Sequence, residues 1–188
     1  YKKNDGELNS TLSNMFADAT YEMSNPVFNK MSGKNIDIVL LNNGGIRSII
    51  SKGNISEKTA FELMPFENSI VVLELNGLSI IKMIDYLRKV KLQHPISGLQ
   101  ITLNNDYSVN EVKINGASIE KEKKYYVATT DYLLEGGDKM YFLAETTKTI
   151  DINYKMRDIL IDYFKKYDTL KLKSDNRFIR IKWIEKPF

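Results

Sequence analysis

A mixed α+β fold is predicted for this 188-residue chain from three observations. Short apolar runs of strand length are bounded by Asn-Gly or Gly-Gly pairs. Other segments repeat apolar residues at helical spacing. After a first helix the order is strand, helix, strand, helix, several strands, helix, strand, which is not a repeating βαβ pattern. The length suits one domain, and 43% hydrophobic residues are enough for a buried core.

The first helix rests on Leu12, Met15, Phe16, Ala19 and Met23, with Asn9 or Ser10 as its cap. Pro26 is expected to end it, because proline removes a helical donor. Ile36 to Leu41 reads as a buried strand running into the turn Asn42-Asn43-Gly44-Gly45. Ser56 caps a short helix closed by Pro65, and Ile70 to Leu75 forms the next strand. Asn76-Gly77 leads into an amphipathic helix with Leu78, Ile81, Ile84 and Leu87 on one face.

Strand-like runs follow at Leu99–Leu103, Val109–Ile114 and Tyr125–Thr129, with a hairpin turn signal at Asn115-Gly116. Residues Glu135 to Asp138 read as a loop. A last helix is predicted from about Tyr154 to Tyr167, with Met156, Ile159, Leu160 and Tyr163 inward. Alternation from Arg177 to Ile184 predicts a terminal strand. No short repeat, low-complexity tract or interdomain linker breaks the chain.

Composition excludes several functions. The chain has no cysteine, so no disulfide framework or thiolate metal site is available. His94 is the single histidine and reads as structural or solvated, because metal sites draw on several clustered ligands. A net charge of +3 calls for no nucleic-acid partner, and the lysines at 121, 123, 124, 165, 166, 171 and 173 spread over several elements. Tyr125 and Tyr126 fit a strand better than a binding platform. No apolar run approaches the roughly 18 residues of a membrane span. The chain begins at Tyr1, not Met, so a preceding segment, such as a signal peptide, is expected to have been removed.

Three segments are under-explained by folding. In Asn42-Asn43-Gly44-Gly45-Ile46-Arg47 the glycines allow a close backbone approach to a ligand, and Arg47 carries a fork suited to phosphate or carboxylate. The plain alternative is a tight turn with a surface arginine. In Met64-Pro65-Phe66-Glu67-Asn68, Phe66 is either a core plug, the usual place for phenylalanine, or an exposed stacking face. In Asp131-Tyr132-Leu133-Leu134-Glu135-Gly136-Gly137-Asp138, the pair Gly136 and Gly137 permits a close-approaching loop, and Asp138 can accept from vicinal hydroxyls. A turn with a solvated acid is the alternative there. No Ser–His–Asp or Cys–His arrangement supports covalent catalysis, so no catalytic residue is assigned.

Taken together, N-N-G-G-I-R-S, G-N-I-S, F-E-L-M-P-F-E-N and D-Y-L-L-E-G-G-D resemble the C-terminal domain of the 5'-nucleotidases in order and rough spacing. That family shows N-x-G-G-I-R, G-x-I-(S/T), (L/M)-P-F-x-N and a late G-G-D-G. The stretch V-V-L-E-L-N-G-L-S-I-I-K-M-I-D-Y-L, the pair Ser97-Gly98 and the early L-S-N-M-F-A-D-A are similar to it too, so the likeness spans about residues 7 to 145. Each piece is weak and the combination is specific.

The resemblance implies a four-layer α/β/β/α domain that cradles a nucleotide or nucleoside. Asn42, Gly44, Gly45 and Arg47 would contact substrate. Phe66 and Tyr132 would sandwich the base, with Gly136 and Gly137 shaping the loop and Asp138 on the ribose hydroxyls. Two departures stand out. The family's arginine before the first helix has no counterpart in Gly6-Glu7-Leu8-Asn9, and Lys139 replaces the last glycine of G-G-D-G.

The family also implies an N-terminal metallophosphoesterase domain with D-x-H and G-N-H-(D/E) motifs, which this sequence does not contain. Divalent metals are therefore expected only on that partner, and a periplasmic or extracytoplasmic location is implied. The alternative is a non-catalytic module that kept the fold and lost the nucleotide.

Overall fold

The computed structural model describes residues 1–2 and 5–181. Helix α1 (Thr11–Ser32) is capped by Ser10, whose hydroxyl accepts from the Ser13 amide. It runs through Pro26, contrary to the expected stop, and ends at Gly33 in the left-handed region, where the Gly33 amide bonds to the Asn29 carbonyl. Tertiary packing outweighs the proline: beyond it Phe28 is fully buried, with its ring 5.4 Å from that of Tyr126.

Strand β1 (Ile38–Leu40) is followed by a single turn of 3₁₀ helix at Asn43–Gly45, then by α2 (Glu57–Leu63) and β2 (Ser69–Asn76). Helix α3 (Gly77–Val90) is capped by Asn76. Its buried face is Ile80, Met83, Ile84 and Leu87, while Leu78 and Ile81 are exposed. The inward stripe is thus rotated from the one expected, because Ile80 and Met83 continue the Ile84–Leu87 row.

Next come β3 (Ile96–Ser97), β4 (Leu99–Leu103), β5 (Val109–Ile114) and β6 (Lys124–Thr130). The Asn115-Gly116 turn forms with both residues at positive φ, but the chain then leaves for the other sheet instead of completing a long hairpin. A short helical turn, α4 (Asp131–Leu134), follows β6, the expected loop Glu135 to Asp138 runs into a 3₁₀ turn at Gly137–Lys139, and a further 3₁₀ turn spans Tyr141–Glu145.

Strand β7 (Lys148–Lys155) precedes α5 (Met156–Lys166), and β8 (Phe178–Arg180) closes the order. β7 has no counterpart in the sequence reading. It is a sheet edge, and most of its side chains are exposed, so apolar alternation is faint. The expected terminal strand is seen at Phe178–Arg180, and its last three residues lie outside the described residues.

The five-stranded sheet has the order β3-β1-β6-β2-β7, and the three-stranded sheet the order β5-β4-β8. Alternate residues of the large sheet enter two cores. Val39, Ile70, Val72 and Ala128 pack with α1, α2 and α5, while Ile38, Leu40, Val71, Leu73 and Val127 pack with α3 and the small sheet. Both faces are buried, which explains the near-continuous apolar runs of β1 and β2.

Candidate functional site

Strand pairing puts the three suspect segments at one end of neighbouring strands in the large sheet. β1 and β6 are parallel, with Val39 opposite Ala128, so the chain leaves both at the same end. β2 is antiparallel to β6, with Ile70 opposite Thr130, so it begins there. The loop after β1 carries Asn42 to Arg47, the loop before β2 carries Phe66, and the loop after β6 carries Tyr132 to Asp138. Ligands commonly bind beyond the carboxyl ends of parallel strands.

In the first loop the Gly45 amide bonds to the Asn42 carbonyl at 3.1 Å, and the Arg47 amide reaches the Leu63 carbonyl of α2 at 2.9 Å. Asn42 is half-buried, and its amide side chain lies over Gly45: a Cβ there would sit 3.0 Å from the Asn42 Oδ1. Gly44 is exposed, and Arg47 is an exposed cation whose Nη1 donates to the Gly44 carbonyl at 3.3 Å. The Arg47 guanidinium carbon is 5.7 Å from the centre of the Phe66 ring, so this cation and this aromatic are neighbours.

The loop is fastened from below by His94. The Asn43 amide donates to His94 Nδ1 at 3.2 Å, and the Asn43 side chain donates to the Gln93 carbonyl at 2.9 Å. His94 is 2% exposed, its Nδ1 also lies 3.3 Å from the Leu41 carbonyl, and burial pushes its pKa below the usual histidine value, with the Leu41 contact and then the charge of Asp138 opposing. A neutral imidazole is what an acceptor Nδ1 requires. Of the two readings the sequence left open, the structural one applies.

Phe66 is 42% exposed, so it is not a core plug. Its turn is gripped by Arg157 from the start of α5, which donates to the carbonyls of Met64, Pro65 and Phe66, each at 3.0 Å, and pairs with Glu67 at 2.7 Å. Lys155 joins Glu67, and these two cations hold the Glu67 carboxyl below its ordinary range. Arg157 carries no local signal in the sequence, where it is one polar residue of an amphipathic helix.

Thr130 caps the third loop, and Asp131 accepts the Ser69 amide at 3.1 Å, tying this loop to the start of β2. Tyr132 is 42% exposed, as Phe66 is. Its ring lies against Gly137, where any Cβ would overlap it, and Gly136 is at φ +94. Here both glycines are required, one by contact and one by conformation. The Tyr132 hydroxyl donates to Asp138 Oδ1 at 3.1 Å, and that bond is the main reason its phenol pKa is raised. From α3, the Tyr86 hydroxyl donates to the Asp138 carbonyl at 2.8 Å, and the Tyr86 ring is 5.9 Å from His94. Tyr86 and His94 thus back the first and third loops together.

The Gly6–Asn9 segment, which lacks the family's arginine, meets a cation from elsewhere. Arg180 of β8 donates to Glu7 Oε1 at 2.7 Å, and Gln93 donates to the Gly6 and Glu7 carbonyls. Among the described residues no three His, Asp or Glu side chains gather as a metal ion would require. No described helix is long and apolar enough to cross a membrane.

The family described as 5'-nucleotidase, C-terminal domain, matches residues 2–145. The protein UshA of Escherichia coli is 29% identical over 75% of this chain, and a cell wall protein of Listeria monocytogenes, Lmo0130, is 32% identical over 69% of it. The chain spans only 26% and 18% of the lengths of those two relatives. A 5'-nucleotidase precursor from Thermus thermophilus superposes with a TM-score of 0.80 over 94% of this chain and 36% of that one, at 23% identity, a likeness of fold.

Proposed function

Since the chain belongs to the 5'-nucleotidase C-terminal domain family, we propose that it is the nucleotide- or nucleoside-recognising part of a 5'-nucleotidase-type phosphoester hydrolase. The observation that supports this reading is that the loops carrying Arg47 beside Phe66, and Tyr132 bonded to Asp138, lie at the same end of neighbouring strands of the large sheet. Two exposed aromatic faces suit a base, whose stacking is worth about 1–3 kcal/mol. Asp138 suits sugar hydroxyls, and Arg47 with the Asn42–Gly45 turn suits a phosphate or a polar edge of the ligand.

Catalysis belongs, in this reading, to a metallophosphoesterase domain or subunit that brings the divalent metals and the attacking water. No step is assigned to a metal on this chain. An extracytoplasmic setting accords with the cell-wall name of the Listeria relative.

The phosphate side favours nucleosides over nucleotides as ligands of the chain alone. Glu7 stands in the segment where the family carries arginine, and Arg180 is committed to it. Calorimetry with adenosine and AMP tests the proposal. Binding that is lost in Asp138→Ala and weakened in Phe66→Ala supports it. No binding of either ligand at millimolar concentration, with and without the catalytic partner, favours the second reading, a module that kept the fold and lost the ligand.

A further inference from the structure

Asp138 is held at two points by tyrosine hydroxyls. Tyr132 donates to carboxylate Oδ1 at 3.1 Å, and Tyr86 donates to the main-chain carbonyl at 2.8 Å. Asp138 has φ +50 and the next residue, Lys139, has φ +60. Such a backbone persists only where neighbours over-determine it. Tyr86 is placed to do so, being half-buried on α3 with its ring 5.7 Å from Phe142 and 5.9 Å from His94. Tyr132 is placed likewise, because its ring lies against Gly137. Ring, glycine and carboxylate form one unit.

A free carboxylate can take a vicinal diol with one hydroxyl on each oxygen. Here one oxygen is already engaged. A second sugar hydroxyl must crowd in beside the phenol on the remaining lone pair of Oδ1 or displace it, and either gains less than an unoccupied oxygen would offer. A phenylalanine at this position would leave both oxygens open.

We propose that the Tyr132 hydroxyl is a specificity determinant: it takes one oxygen of Asp138 and leaves the other for a single sugar hydroxyl, so that 2'-deoxynucleosides bind about as well as ribonucleosides. Tyr86 is a positioning residue that fixes the Asp138 peptide. The inference rests on the reading of Asp138 as the sugar-binding carboxylate.

Titration of the wild-type chain, Tyr132→Phe and Tyr86→Phe with adenosine and 2'-deoxyadenosine tests it. The wild type is expected to bind the two within about threefold. Tyr132→Phe keeps the stacking face and is expected to favour adenosine by about fivefold or more, the effect of one freed acceptor. Tyr86→Phe weakens both ligands and leaves their ratio unchanged. A wild-type preference for adenosine above about tenfold, unmoved by Tyr132→Phe, overturns the inference and leaves the nucleoside reading standing. Binding of neither ligand to the folded wild type, with and without the catalytic partner, overturns that reading and the inference with it. A ligand-free check is the Tyr132 phenol titration followed by carbon NMR. It should lie higher in the wild type than in Asp138→Asn, and coincidence of the two shows that the clamp does not form.

Discussion

His94 Nδ1 accepts the Asn43 amide proton at 3.2 Å, so the only histidine of the chain fastens the glycine turn beside Arg47. The bond needs a neutral ring, and burial favours that form by pushing the imidazole pKa below 6.5. Below about pH 6.5 the unfolded chain takes up a proton that the folded chain refuses. Stability from this group is therefore fully present above that pH and declines as pH falls through it, by at most about 1.4 kcal/mol per pH unit. Urea unfolding between about pH 7.5 and 5.5 should show that slope in the wild type and a flatter line in His94→Gln. Equal slopes would assign the acid loss to other groups.

Arg157 is a second residue acting from a distance. Its guanidinium serves three carbonyls and Glu67 while its side chain is only 11% exposed. Replacement by methionine leaves those acceptors unpaired and should destabilise the chain by on the order of 3 kcal/mol. Lysine should not rescue it, since an ammonium cannot reproduce the planar fork. Denaturant titration reads the first effect, and nucleoside affinity reads the displacement of Phe66. An Arg157→Lys chain with wild-type values for both would show that charge alone suffices.

Local pattern specifies β4, β5, β6 and the inward face of α5, because each is an apolar period bounded by turn residues. It also isolates the three loops that carry Arg47, Phe66 and Asp138. Their placement at one end of neighbouring strands is a matter of strand pairing, which no local period encodes. Arg157 reaches the Phe66 turn from about ninety positions away, and Tyr86 reaches Asp138 across fifty-two, so neither announces its role in its own segment. The turn glycines and exposed aromatics could be singled out because they are costly or unusual where they stand. The supporting residues are ordinary helix positions and gain their roles only from packing.

Pro26 shows the same limit in reverse. Helix α1 continues past it to Ser32 although proline lacks the donor that would meet the Glu22 carbonyl. The helix keeps its course because Phe28 is buried and because Asn25 accepts the Ile36 amide at 2.8 Å. Pro26 itself is exposed, so Pro26→Ala removes the penalty without opening a cavity. Stability should rise by about 1–3 kcal/mol. A measured decrease would mean that proline's stiffening of the unfolded chain outweighs the missing bond.

Lys139 stands where the family has glycine, and its φ of +60 shows why glycine is favoured there. A side chain with a Cβ in this region costs roughly 1–2 kcal/mol, and lysine has no short polar group to bond its own backbone. Asp138, at φ +50, is better suited to the conformation and is held by Tyr86 and Tyr132, so the strain falls mainly on Lys139. Lys139 is exposed, and its amide bond to the Gly136 carbonyl survives substitution. Lys139→Gly should thus gain about 1 kcal/mol once the greater freedom of glycine in the unfolded chain is subtracted. In a chain of this size that raises the unfolding midpoint by about 2–4 °C. A midpoint that falls would place the strain elsewhere in the loop. An unchanged midpoint with weaker nucleoside binding would make the lysine side chain part of the ligand surface.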